Sequence, residues 1–560
     1  MKQYPRGGIA EPGASLDYHT GSWRLQRPVH VHQAAPCHHA CPAGEDAQAY
    51  LALVEQGRMQ AAWESLVTAN PLPAITGRVC PHPCESACNR GQYDEAVSIH
   101  GIERFLGDEA IRQGWAYPVA PPPADAPVVA VVGAGPAGLS CAWHLLRAGL
   151  RVDVFEAESE PGGICATAIP GYRLPPDTVA LECGRLMALD GIEFRPGQRL
   201  GRDIQLHELR QQYAAVFLGV GAQQARPWSI DGVTPGDLHD GLALLQEWKR
   251  VGQIPVPERV AVVGGGNTAV DLCRVFKRAG AKRVMLVTHS GMPGPGVPDP
   301  MRALPRELAQ AQEEGVEVLT HRGVRRLVLR GEKAVGIETV HMKKLPDAEG
   351  RLRRVAFEGT ESLLHVDMIV PATGQDVDGR GFEELLKGSA ALAIAADGAI
   401  GTPGVYAGGD VTGNAGTVTA AVGQGRRAAA AIVRSLQREA GIDWTDAAPV
   451  AFAALNTEYY EPMRRHHGAV LPPAEREGEL EVEQGFDPAA AQAEAGRCLS
   501  CGNCMACDNC YTLCPDTAVL KTRDLAEDGS HYVFDYEYCK GCGLCANECP
   551  TGYIQMVVEP

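Results

Sequence analysis

Ten of the chain's 19 cysteines lie between positions 498 and 549, and eight of them repeat one spacing. Cys504-x2-Cys507-x2-Cys510-x3-Cys514-Pro is followed by Cys539-x2-Cys542-x2-Cys545-x3-Cys549-Pro. Thiolates suit iron, and three of them in one short loop match three corners of a cubane cluster. Zinc sites instead use two separated pairs. The doubled run is the signature of a bacterial two-cluster ferredoxin, in which the fourth cysteine of each run ligates the other cluster. One [4Fe–4S] cluster is therefore expected on Cys504, Cys507, Cys510 and Cys549. The other is expected on Cys539, Cys542, Cys545 and Cys514. Five further cysteines group as Cys37-x3-Cys41-Pro and Cys80-x3-Cys84-x3-Cys88. In a reducing compartment such clusters bind metal more often than they form disulfides. Cys141, Cys165, Cys183 and Cys273 stand alone and read as buried structural thiols.

Two glycine turns carry a different chemistry. Gly133-Ala-Gly135-Pro-Ala-Gly138 follows the apolar run VVAVV and opens a helical pattern. The first glycine makes the turn, the second lets backbone approach a pyrophosphate, and the third lets helix and strand pack closely. Glu156 ends the next strand, where an acid binds ribose hydroxyls. The second turn is Gly264-Gly-Gly266-Asn267-Thr268-Ala269, with alanine in the third glycine position. Two dinucleotide sites imply two cofactors, one held and one exchanged. Gly404-Val-Tyr-Ala-Gly-Gly-Asp410 has the form of a strand ending in Gly-Asp, whose carboxylate suits a flavin's ribityl or phosphate region.

The elements that must position these groups divide the chain. Residues 1–36 read as an irregular arm and 37–117 as a helical iron–sulfur domain. A proline-rich linker, YPVAPPPADAP, closes that domain. Residues 127–235 and 367–440 form the two parts of an FAD-binding domain, with a nucleotide-binding domain inserted at 236–366. Residues 441–496 read as a polar connector and 497–560 as a two-cluster ferredoxin domain. The predicted class is α/β: two Rossmann-type domains, a helical N-terminal domain and an α+β ferredoxin module.

The segments GAGPAGLS, EPGG, IPGYRLP, GGGNTAVD, ATG and VYAGGD resemble the small subunit of bacterial glutamate synthase. They are also similar to the N-terminal half of dihydropyrimidine dehydrogenase and to the larger subunit of NADH-dependent ferredoxin:NADP transhydrogenase. The resemblance covers roughly residues 35–437. It implies FAD in the first unit and NAD(P)H in the second, with hydride passing to flavin and single electrons to clusters. It adds Gly163 of EPGG and Thr419 as flavin contacts. It matches Cys41, Cys80 and Cys84 to three ligands of one cluster, with Glu103 as the fourth. A second cluster in that family uses positions matching Cys37 and Cys88 plus a C-x2-C pair. No such pair precedes Cys37. Cys498-x2-Cys501, in the context EAGRCLSCG, resembles the segment that carries it, so Cys37, Cys88, Cys498 and Cys501 are expected to share one composite cluster. The expected cofactors are FAD and four [4Fe–4S] clusters.

NADPH-using relatives carry an Arg-Arg pair after the second strand of the nucleotide unit. Here Thr288-His289-Ser290 follows Val284–Val287, so NADH is expected over NADPH. YCKGCGLCANECPTG resembles the delta subunit of 2-oxoacid:ferredoxin oxidoreductases, and TGSWRLQRP a segment from that subunit's start. The expected partner is a redox protein or ferredoxin: a 2-oxoacid oxidoreductase or a sulfite-reductase-type enzyme, as in similar fusions of sulfur oxidisers. A glutamate synthase small subunit and a self-contained small-molecule reductase are the alternatives. The latter would need an FMN barrel of about 250 residues, for which no room remains. The net charge of −17 disfavours nucleic acid. No stretch approaches a membrane span and the N-terminus lacks an apolar signal core, so a cytoplasmic protein is expected.

Overall fold

The apolar runs VVAVV and RVAVV become buried parallel strands, Val128–Val132 and Arg259–Val263. Each runs through a glycine turn into a helix, Pro136–Arg147 and Asn267–Arg278. Strands apolar on both faces suit a parallel sheet covered by helices. The computed structural model describes residues 17–560 except 232, 237, 295, 414–415, 440, 443–446 and 526–528.

The first strand lies within a five-stranded parallel sheet, ordered 405–407, 215–218, 128–132, 151–155, 192–195. Strand order reverses beside 128–132, which opens a crevice at the carboxyl ends. The second unit is a four-stranded parallel sheet, ordered 368–371, 259–263, 283–287, 317–319. Its edge corrects the expected boundary at 366. Met368–Pro371 pairs with Arg259–Val263 and completes this sheet rather than the flavin domain. The passage between units is marked by the short antiparallel pair 224–225 and 375–376. An antiparallel sheet of Arg322–Arg330, Lys333–Pro346 and Leu352–His365 is appended to the second unit.

In the N-terminal domain, Pro73–Val79 and Ile99–Gln113 cross at two glycines. A Cβ on Gly77 would lie 2.7 Å from Arg104 Cα, and one on Gly107 2.6 Å from Ala74 Cα. This contact sets Cys80 opposite Glu103. The helical domain and the flavin unit share one core, in which Tyr117 packs between Trp63 and Trp143. The Trp143 indole N–H donates to the Val67 carbonyl at 2.7 Å. Between the nucleotide units, Arg173 pairs with Asp271 at 2.7 Å and Glu307 at 3.1 Å. Tyr172 lies under Arg274 and Arg278.

The expected irregular arm is ordered along part of its length; residues 1–16 lie outside the described set. Gln26–His30 pairs antiparallel with Ile554–Val558, from Gln26↔Val558 to His30↔Ile554. Arg24 pairs with Glu559 at 2.6 Å, and Tyr536 donates to the Pro28 carbonyl. The start of the chain thus completes the ferredoxin module, whose other strands are Val519–Lys521 and Tyr532–Phe534. The connector is no free linker either, because Val482 is buried in the second unit's core. Its helix Pro488–Ala495 packs against the N-terminal domain. Among the described residues no helix is long and apolar enough to cross a membrane.

Candidate redox centre

A cavity of about 660 Å³ lies between the nucleotide units. Gly133, Gly135, Glu156, Gly163 and Asp410 line it from one side, Asn267 and Thr268 from the other. The first turn is built for close approach: a Cβ on Gly138 would run into the Gly133 carbonyl, and one on Gly163 would lie 2.8 Å from Gly135 Cα. Glu156 accepts from the backbone N–H of Ala134 at 2.7 Å and Glu158 at 2.9 Å. Asp410 accepts from Gly416 N–H at 3.0 Å, and burial raises its pKa. Such a cradle fits a flavin dinucleotide. In the second turn, Gly264 packs against the Ala372 carbonyl and Ala269, while Gly266 precedes the helix. Asn267 accepts from Leu304 N–H at 2.9 Å. Thr419 does not itself line the cavity. Thr417, Val418 and Ala421 line the cavity, whereas the buried Thr419 hydroxyl sits beside the Cys80 thiol. The helix Val418–Ser435 therefore joins the flavin cavity to the cysteines.

Cys41, Cys80 and Cys84 come together with two carboxylates. Burial and then Glu45 push the Cys41 thiol well up, with Cys80 and Glu103 also close. Burial and then Glu103 push Cys80 up to about 12. Glu103 accepts from Asn70 at 3.0 Å and from the Thr76 hydroxyl. Glu45 accepts from Asn70 at 2.9 Å and Tyr50 at 3.4 Å, and burial raises it to about 7. Burial, then Glu45, raises Glu103 well above the usual range. Glu45 was missed in the sequence; its only signal is its place four residues after Cys41.

Cys37, Cys88, Cys498 and Cys501 form the next group. Burial, then Cys498, Cys88 and Cys501, raise the Cys37 thiol. Cys498 is pushed up to about 12 by burial, and Cys501 to about 11, with Cys88 near both. Asn89, directly after Cys88, donates to Cys501 Sγ at 3.6 Å. Local structure links this group to the first, since Cys41 N–H donates to the Cys37 carbonyl at 3.1 Å. A buried network brings in the pair from the other end of the chain. Arg497 pairs with Glu494 at 2.7 Å and Asp94 at 3.2 Å, and Arg90 donates to the Arg497 carbonyl. Glu494 also accepts from Ser98 N–H at 2.7 Å. His82, Glu85 and His100 gather nearby, but His100 and Arg465 already hold Glu85, so the group serves as a docking contact for the connector.

The ferredoxin module groups its thiols in two fours. Cys504, Cys507, Cys510 and Cys549 line one small cavity; Cys514, Cys539, Cys542 and Cys545 line another. Tyr460 lies between the first of these and the Cys498–Cys501 pair; burial, then Cys501 and Cys498, then Cys549 and Cys507, raise its pKa above the usual phenol range. Cys545 lies close to Cys510, which joins the two fours. Sets of buried thiols that resist ionisation fit cationic iron, which reverses that preference. Cys141, Cys165, Cys183 and Cys273 are all buried free thiols, and burial pushes Cys165 up to about 12.

Known proteins share these features. Residues 127–425 match the family described as pyridine nucleotide-disulphide oxidoreductase. Residues 26–115 match dihydropyrimidine dehydrogenase domain II with its 4Fe-4S cluster, and 503–553 a 4Fe-4S dicluster domain. The chain is 35% identical to the NADP(+)-dependent formate dehydrogenase subunit beta of Moorella thermoacetica, over 83% of this chain and 70% of the relative. It is 34% identical to the NADPH-Fe(3+) oxidoreductase subunit beta of Geobacter sulfurreducens, over 87% and 78%. It is 32% identical to the glutamate synthase [NADPH] small chain of Escherichia coli, over 72% and 88%. The chain belongs to the pyridine nucleotide-disulphide oxidoreductase family, as a glutamate synthase small-subunit-like FAD- and NAD(P)-dependent oxidoreductase with iron–sulfur domains at both ends.

Proposed function

We propose that this chain is the nucleotide-coupled electron-transfer subunit of a larger redox enzyme, holding one FAD and four [4Fe–4S] clusters. When bound, FAD exchanges a hydride with the nicotinamide and single electrons with the clusters. The chain's own residues supply position. The two glycine turns face one cavity, so the nicotinamide and the flavin would meet there. Thr419 and Cys80 connect that cavity to the first donor set, Cys41, Cys80, Cys84 and Glu103.

The observation that carries this reading is the unbroken line of four donor sets. It runs from Cys80 to Cys37, past Tyr460 to Cys507 and Cys549, and on to Cys545. Exposed Cys507 and Cys542 mark the ferredoxin module as the port for a partner. The relatives named as beta subunits support a subunit role. Those named for NADP(+) and NADPH lean against the expected NADH. A 2-oxoacid oxidoreductase or a sulfite-reductase-type enzyme suits the delta-like module as partner.

Anaerobically reconstituted protein should contain one FAD and about 16 irons per chain. NAD(P)H should bleach the flavin band and then the broad cluster absorbance. Iron near eight, or a flavin that no nicotinamide reduces, would overturn the proposal.

A further inference from the structure

The loop after strand Arg283–Val287 lacks the arginine pair, yet the appended antiparallel sheet brings cations to it. In the flavin unit, Gly133 N–H bonds the Phe155 carbonyl at the strand end and Glu156 follows. In the second unit, Gly264 N–H bonds the Val287 carbonyl in the same way, and Thr288 takes the place of the acid. The adenosine ribose of a nucleotide lies at this strand end, where an acid reads a free 2′-hydroxyl and a cation reads a 2′-phosphate.

The sheet is bonded directly to this loop. Arg322 N–H donates to the Thr288 carbonyl at 2.8 Å, His321 N–H to Ser290 at 3.1 Å, and Met342 N–H to His321 at 2.8 Å. Lys344 and Arg354 are register partners on adjacent antiparallel strands, so their side chains share a face. Both reach the mostly buried Asp299: Lys344 Nζ at 2.6 Å, Arg354 at 3.1 Å. Asp299 is itself tied to the loop, since its carbonyl accepts from Gly291 N–H at 2.9 Å. The half-buried His289 lies among these groups; burial, then Arg354, lower its pKa. Both Asp299 oxygens are engaged by these cations. Two cations against one acid leave a positive surplus. Three residues beyond Asp299, Arg302 lines the nucleotide cavity, with its backbone N–H on the Gly265 carbonyl at 3.0 Å.

We propose that Lys344 and Arg354, with His289 beside them and Arg302 on the cavity side, form a subsite for the 2′-phosphate of NADPH. The inference rests on the reading that this unit delivers nicotinamide to the flavin. The sheet thus replaces the missing pair with cations from another part of the chain, preset by Asp299.

Calorimetry on the reconstituted protein should find 2′,5′-ADP bound at least tenfold more tightly than 5′-AMP. Lys344→Gln with Arg354→Gln should erase that difference. The same double variant should lower the NADPH:NADH ratio of kcat/KM for viologen reduction at least tenfold. Asp299→Asn, which keeps both cations and removes the acid, should tighten 2′,5′-ADP binding. Equal binding of the two nucleotides by the native protein, a difference that survives the double variant, or weaker binding by Asp299→Asn would each overturn the subsite. Flavin reduction by NADH but not NADPH would sink this inference alone. Reduction by neither would sink the electron-transfer reading instead.

Discussion

Glu45 and Glu103 both approach Cys41 and Cys80, yet their surroundings assign them different work. Thr76 and Asn70 hold Glu103 on the helix that crosses at Gly77 and Gly107, which fixes its carboxylate opposite Cys80. Glu45 is anchored by Tyr50 and Asn70 on the chain just after Cys41. We expect Glu103 to be the ligand and Glu45 to supply charge beside it. Glu103→Ala should remove one to four irons and change the cluster's electron paramagnetic resonance signal. Glu45→Gln should keep all iron and, at a pH above about 7 where Glu45 is ionised, raise that cluster's reduction potential, because one nearby negative charge is lost. If Glu45→Gln loses iron and Glu103→Ala does not, the assignment is reversed. Asn89 acts on the next set in the opposite sense. Its N–H on Cys501 Sγ would stabilise the more reduced, more negative state of a cluster held there, so Asn89→Leu should lower that potential in a redox titration.

At the scale of elements, the strand Gln26–His30 belongs to a module that begins almost five hundred residues later. Deleting residues 1–31 should remove the partner of Ile554–Val558 and expose an unpaired edge. Flavin content should stay constant while the ferredoxin module loosens; limited proteolysis should then release residues beyond 500 faster than from the full chain. Equal proteolysis rates would mean that the arm is an accessory. The glycine turns, their strands and the ferredoxin spacing were legible because each is a local pattern, complete within one short stretch of chain. The arm reads as irregular although TGSWRLQRP resembles the start of the same delta subunit as the C-terminal module; its pairing was not legible, since an edge strand's register depends on a partner far away in the chain. The same holds for Met368–Pro371, whose apolar run suits either parallel sheet until its neighbour is known. The composite thiol set was reachable only because a C-x2-C pair stood in surplus at one end and was missing at the other. Lys344 and Arg354 look like ordinary surface cations until the register of the sheet aligns them.

For the molecule as a whole, the two ends of the chain close on each other around the nucleotide units. The closing contact is ionic and buried. Arg497 and Glu494 are fully enclosed, with Asp94 beside them; burial opposes its charge, but hydrogen bonds from Arg90 and Met463 bring its pKa down to about 2. Removing one partner of such a pair costs about 3–5 kcal/mol, because the other is left buried and unpaired. The line of donor sets crosses the same junction, so closure and electron transfer depend on one structure. This makes a truncation after Ala495 informative. It removes Cys498 and Cys501 together with the whole ferredoxin module, and leaves the flavin cavity and the Cys41, Cys80, Cys84 and Glu103 set intact. With a composite cluster, the shortened chain should hold about four irons, since Cys37 and Cys88 alone cannot retain a cubane. Without one, a second N-terminal cluster would remain and about eight irons would be found. The flavin should still bleach rapidly with NADPH in anaerobic stopped flow, while transfer to the partner is lost. Undiminished partner reduction would place the port elsewhere, and eight irons would break the link between the two ends.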